Sequence, residues 1–118
     1  MLMELFDWKN LPFGYVKTDF NIRYRYKDGN WGKPEVSSSE YIDVHIAATG
    51  LHYGQEAFEG MKAYMGKDGK VRVFRWEENA KRLILSAEGV KMAPVPMELF
   101  KEAVFTAVKL NMKYVPLL

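Results

Sequence analysis

"GKDGKVRVFRWEENAKRLILSAEGV", Gly66 to Val90, changes its period midway. Asp68-Gly69 suits a tight hairpin turn, because both residue types tolerate positive φ, and "VRVFRW" (Val71–Trp76) reads as the returning strand. After Trp76 the spacing turns helical. Ala80, Leu83, Ile84 and Ala87 form one stripe, Glu77 and Glu78 fall in the first turn, and Gly89 marks a stop. One stretch therefore sets a hairpin directly before a helix.

Upstream, the pattern predicts a strand over 56–65, entered through a turn at "TGLHYG". Further back, "FNIRYRY" (Phe20–Tyr26) alternates Phe20, Ile22, Tyr24 and Tyr26 with Asn21, Arg23 and Arg25. "KDGN" (Lys27–Asn30) supplies another Asp-Gly hairpin, and "YIDVHI" (Tyr41–Ile46) reads as a strand after the loop "KPEVSSSE". Downstream, "APVP" breaks the chain. Phe100, Ala103, Val104, Ala107 and Val108 then predict a second helix from about Met97 to Leu110. Strands first and helices second predict an α+β domain, an antiparallel sheet with two C-terminal helices packed on it.

The 118 residues suit one compact domain, and 48% hydrophobic with 14% aromatic residues can furnish a core. The chain has no cysteine, which excludes disulfides, thiolate metal sites and a cysteine nucleophile and fits a reducing compartment. Seventeen basic and fifteen acidic residues interleave to a net charge of +2, so no charged block points to a polyanionic or acidic partner. Apolar runs fall well short of the roughly 20 residues that span a bilayer. "MLMELFDWKN" carries acids where a secretory signal needs bases. A soluble cytoplasmic protein, without membrane or nucleic-acid partners, is the expectation.

In the strand over 56–65, Phe58, Gly60, Lys62 and Tyr64 share one face, and Ala57, Glu59, Met61 and Ala63 the other. Gly60 leaves room for a ligand to approach the backbone, although a packed strand with a glycine bulge has the same pattern. His45 and His52, seven apart across a turn, match no metal-ligand spacing, so no metal site is expected. "RYRYKDGNW" mixes bases and aromatics like a nucleic-acid platform, but Asp19, Asp28 and Glu35 dilute it, and a hairpin with one solvated basic face fits as well. Arg75, Lys81 and Arg82 cluster at a helix start, where anions bind, yet Glu77 and Glu78 could equally pair with them.

The elements YGQ-x-x-FEG-x-K-A-Y (Tyr53–Tyr64), VR-x-FR (Val71–Arg75) and N-x-x-R-L (Asn79–Leu83), at this spacing, resemble the branched-chain amino acid aminotransferases, pyridoxal-phosphate enzymes of fold type IV. The resemblance runs from "PFGYVKTDFN" to "YVP", nearly the whole chain. It implies that residues 1–118 form the N-terminal small domain, one wall of the cofactor cleft. By the resemblance, Arg82 holds the phosphate of pyridoxal 5'-phosphate, and Phe13, Tyr53 and Phe58 wall the substrate pocket. A guanidinium suits the first task by its planar fork and permanent charge, and an aromatic box suits branched aliphatic side chains.

The resemblance further implies amino-group transfer between leucine, isoleucine or valine and 2-oxoglutarate, in a homodimer. Family members commonly have proline where this chain has Trp76, a difference expected to change packing rather than chemistry. The Schiff-base lysine of such enzymes belongs to a larger C-terminal domain, so no residue here is assigned as catalytic and the chain alone is expected to be inactive. A non-catalytic assembly module of the same fold, or a D-amino acid aminotransferase or aminodeoxychorismate lyase relative, remain the alternatives.

Overall fold

The structure, a computed structural model, describes residues 14–117. It is α+β, built from small antiparallel ribbons followed by two long helices. In chain order the elements are β1 (Asn21–Arg23), β2 (Tyr26–Lys27), β3 (Asn30–Trp31), β4 (Glu35–Ser37), α1 (Thr49–Tyr53), β5 (Ala63–Met65), β6 (Val71–Val73), α2 (Trp76–Gly89) and α3 (Met97–Leu110), closed by a 3-10 turn at Met112–Tyr114.

The expected single sheet is instead three two-stranded ribbons, β1–β4, β2–β3 and β5–β6. Two of these are one interrupted hairpin. Asp28 and Gly29 both have positive φ (52° and 82°), the turn geometry that matches strand twist, and it pairs Tyr26 with Trp31. Continued unbroken, that register would set Pro34 opposite Arg23; the structure sets Glu35 there. One extra residue is thus accommodated between the ladders, beside a proline that cannot donate to the ladder. The "FNIRYRY" strand is correspondingly split into β1 and β2.

The strand expected over Tyr41–Ile46 is not formed; β1 takes β4, from within the expected loop, as its partner. The intervening bulge, not apolar content, sets which residues face β1. Arg23 then closes the segment's start by donating from Nη2 to the carbonyls of Ser39 and Tyr41 at 2.9 and 3.0 Å. Tyr41, Ile42, Val44 and Ile46 remain exposed. The expected turn at "TGLHYG" is the short helix α1, ending at Gly54.

Only Ala63–Met65 of the expected strand 56–65 enters a ladder, because β6 is equally short and ends at Val73. Residues 56–63 nevertheless alternate in exposure as the sequence pattern predicts, with Ala57, Glu59, Met61 and Ala63 less exposed than Glu56, Phe58, Gly60 and Lys62. The hairpin at Gly66–Lys70 closes with Gly66 N–H donating to Lys70 O at 2.8 Å. Asp68 stiffens it by accepting from Lys70 N–H and from both terminal nitrogens of Arg72.

Phe74 and Arg75 turn the chain into α2, with Arg75 left-handed (φ 53°). Trp76 therefore starts the helix rather than ending a strand. Its ring stacks on Phe100, 6.5 Å between centroids, and meets Phe105 edge-on at 6.1 Å, so it joins α2 to α3. Ala80, Ala87 and Phe100 form the buried apolar core among the described residues. Beyond Gly89, Met92 N–H donates to Ala87 O and Lys91 N–H to Glu88 O, a Schellman closure whose left-handed residue is Lys91 (φ 61°). Gly89 itself does not supply that conformation. The tail returns to β5, where Met65 N–H donates to Pro116 O at 2.8 Å.

Candidate functional site

The alternation over 56–63 turns Glu59 inward, beneath α2. On α2, Asn79 and Arg82 are three residues apart and share a face. The Arg82 guanidinium meets the Glu59 carboxylate side-on, Nε to Oε1 at 3.0 Å and Nη2 to Oε2 at 2.8 Å. Buried Asn79 donates from Nδ2 to Glu59 Oε2 at 2.8 Å and to Gly60 O at 3.0 Å. Arg82 chiefly, and then the Asn79 amide, hold the Glu59 carboxyl below its ordinary pKa, and Glu59 raises that of Arg82. Both partners of the ion pair therefore stay charged throughout the neutral range.

Arg82 borders an open groove of about 690 Å³, with Gly60, Lys62, Tyr64 and Arg75 also on its walls. Three cations share this groove with a single acid, Glu78. At Gly60 a Cβ would meet nothing within 4 Å, so the backbone there is open to a ligand. The donor set fits an anionic group: an exposed guanidinium fork, a second guanidinium and an ammonium line one open groove.

A larger hollow, about 790 Å³, follows the outer flank of α3 beside Trp31. There Glu98 and Glu102 alternate with Lys101 and Lys109, so it concentrates no single charge, and size alone does not make it a site. A third, of about 570 Å³, lies between Tyr64 and the end of α3 and is mainly apolar.

Among the sequence-derived candidates, Arg82 is in the cationic groove, whereas Tyr53 and Phe58 do not line it. Tyr53 is 84% exposed at the end of α1, and Phe58 is 90% exposed on the face opposite Glu59. Phe13 lies outside the described residues. His45 and His52 form separate local contacts, His45 Nδ1 accepting from Ala47 N–H and His52 Nε2 meeting the Ile46 carbonyl. Among the described residues no cluster of His, Cys, Asp or Glu could hold a metal ion. Arg23 and Arg25, the basic face of the hairpin, are engaged within the chain, Arg25 with Glu35 at 2.9 Å.

Sequence reasoning assigned no role to Glu59, Asn79 or Gln55. The signal for the first was an acid on the strand face it shares with Ala57, Met61 and Ala63, where a carboxylate turned to the core needs a partner. Gln55 is structural: it donates to Val90 O at 2.8 Å and ties the residues after α1 to the end of α2.

No family model matches the chain. It is homologous along nearly its whole length to proteins named branched-chain-amino-acid aminotransferase. The Helicobacter pylori protein is 45% identical over 95% of this chain and 33% of its own length. The Haemophilus influenzae protein is 42% identical over 92% of the chain and 32% of its own length. The mitochondrial branched-chain-amino-acid aminotransferase 1 of Arabidopsis thaliana is 41% identical over 93% and 29%. The chain thus spans about a third of the length of the curated relatives it matches.

Proposed function

We propose, from its homology with the branched-chain-amino-acid aminotransferases, that this chain is the phosphate-anchoring small domain of such an enzyme. The complete protein then transfers amino groups between leucine, isoleucine or valine and 2-oxoglutarate. The observation that carries this reading is the 41–45% identity over more than nine-tenths of the chain to proteins of that name. The cationic groove supports it independently. Pyridoxal 5'-phosphate, when bound, supplies the electron sink for the transfer.

Arg82 holds the cofactor phosphate with its two-pronged guanidinium, and Lys62 and Arg75 add positive potential around it. Phe13, Tyr53 and Phe58 wall off the aliphatic side chain of the substrate and exclude water from it. Exposed here, Tyr53 and Phe58 are free to meet a second domain or a partner subunit that closes the pocket. The amine that moves the substrate proton comes from a lysine outside residues 1–118. The cysteine-free, charge-balanced composition supports a cytoplasmic location, and the exposed aromatic residues support a homodimer.

The test is Arg82→Ala in the complete protein. Loss of charge-assisted bonds worth about 1.5–3 kcal/mol should raise the cofactor's dissociation constant by roughly ten- to a hundredfold. The cofactor-free variant should also lose some thermal stability, because Arg82 is the main partner of the nearly buried Glu59 carboxylate, so affinities are compared at a temperature where both proteins are folded. Ordinary cofactor affinity in this variant would count against the assignment.

A further inference from the structure

We propose that Glu59, held by Asn79, is a positioning residue that grips one edge of the Arg82 guanidinium and presents the other edge to an anion in the groove. The proposal rests on the phosphate-anchoring reading above and specifies how that anchor is oriented. A guanidinium carries five N–H donors. Glu59 takes Nε–H and one hydrogen of Nη2. The end-on edge, formed by Nη1 and the remaining hydrogen of Nη2, is not used by Glu59. That edge is a fork suited to two oxygens of a phosphate.

The two sides of the pair are unequal, which decides which one orients the other. The Glu59 side chain is 12% exposed and the Arg82 side chain 64%. Glu59 Oε2 is also pinned by Asn79, which is buried and fixed in turn on the Gly60 carbonyl. Orientation therefore runs from the backbone at Gly60 through Asn79 and Glu59 to a long side chain that would otherwise sample many rotamers. Ordering Arg82 in the folded protein removes that cost from the binding step. The opposing effect is the negative charge of Glu59, which weakens the attraction of Arg82 for a phosphate. Bidentate grip by a nearly buried, hydrogen-bonded acid favours orientation over competition.

Titration of the complete protein with pyridoxal 5'-phosphate and with pyridoxal, which lacks the phosphate, separates the possibilities, with bound cofactor read by absorbance. Glu59→Gln should raise the dissociation constant for the phosphorylated form about tenfold and leave that for pyridoxal unchanged, the freed rotamers accounting for the loss. In an Arg82→Ala background, Glu59→Gln should have no further effect, since it acts through Arg82. Should Glu59→Gln fail to fold, Glu59→Asp keeps the charge but shortens the reach, and the same selective loss is expected. Unchanged or tighter binding of the phosphorylated form in Glu59→Gln, with Arg82→Ala still impaired, overturns the positioning role and leaves the anchor standing. Equal weakening toward both ligands makes Glu59 merely structural and also overturns it. If Arg82→Ala discriminates no less well than the unmodified protein, the anchor itself is wrong and this inference falls with it.

Discussion

The two halves of this molecule are held together by different forces. In the helical half, α2 and α3 join through Trp76 against Phe100 and Phe105, with Ala80 and Ala87 buried. Several polar bonds tie the strand segments to that half. Asn111 pairs both ways with the backbone of Phe20, at 3.0 Å each. Asp19 accepts from Tyr114 at 2.9 Å and meets Lys113 at 2.8 Å, while Trp31 Nε1 donates to Pro94 O at 3.2 Å. Burial of apolar area resists pH and salt, whereas exposed charge pairs do not. The ribbons are thus the adjustable half, and the segment between β4 and β5 carries the exposed apolar residues Tyr41, Ile42, Ile46, Tyr53 and Phe58.

The strongest way to break this contrast is to hollow the helical half. Phe100→Ala should cost about 3–5 kcal/mol in a urea melt, as for other buried aromatics. Phe58→Ala should stay within about 0.5 kcal/mol of the unmodified chain, because little of that ring is removed from water. Comparable losses from both would mean that the exposed face is covered in solution.

A smaller change, in the opposite direction, is expected at the end of α2. Lys91→Gly removes the left-handed penalty of a residue with a Cβ, and should gain up to about 1 kcal/mol. No gain in the thermal midpoint would show that Lys91 contributes contacts that offset its strain.

The mildest perturbation is acid, and it should sharpen the contrast rather than abolish the fold. Asp68 beside Arg72, Asp19 beside Lys113 and Tyr114, and Glu59 beside Arg82 all have carboxyls held below their ordinary pKa. Their stabilisation is fully present above the unfolded values near 4, and is lost as pH falls through the lower folded values. Hydrogen-exchange protection, taken relative to the intrinsic rate at each pH, should therefore fall below about pH 4 in β1, β5 and β6 before it falls in α2 and α3. Simultaneous loss of protection in both halves would show that the ribbons and helices open as one unit.

How much was legible beforehand follows the same division. The helix Met97–Leu110 was readable because its apolar spacing is local and matches the helical period. The hairpins at Asp28-Gly29 and Gly66–Lys70 were readable because their turn residues carry the required conformations. Tyr41–Ile46 was misread because alternation describes a strand's faces but not its partner. The bulge beside Gly32 and Pro34 decided that β1 would meet Glu35–Ser37 instead. At the candidate site, Arg82 was accessible through family resemblance, whereas the Glu59–Asn79–Arg82 network joins residues 20 and more positions apart.

The sequence by itself determined the α+β class, the positions of α2 and α3, the turn chemistry and the resemblance that points to an aminotransferase. Those features depend on local spacing and residue type. Only the tertiary structure decided which edge of Arg82 is occupied, that Trp76 is a helix-packing residue, and that Tyr53 and Phe58 stand apart from the cationic groove. These depend on where separate segments meet, and sequence periodicity does not specify the distances between segments.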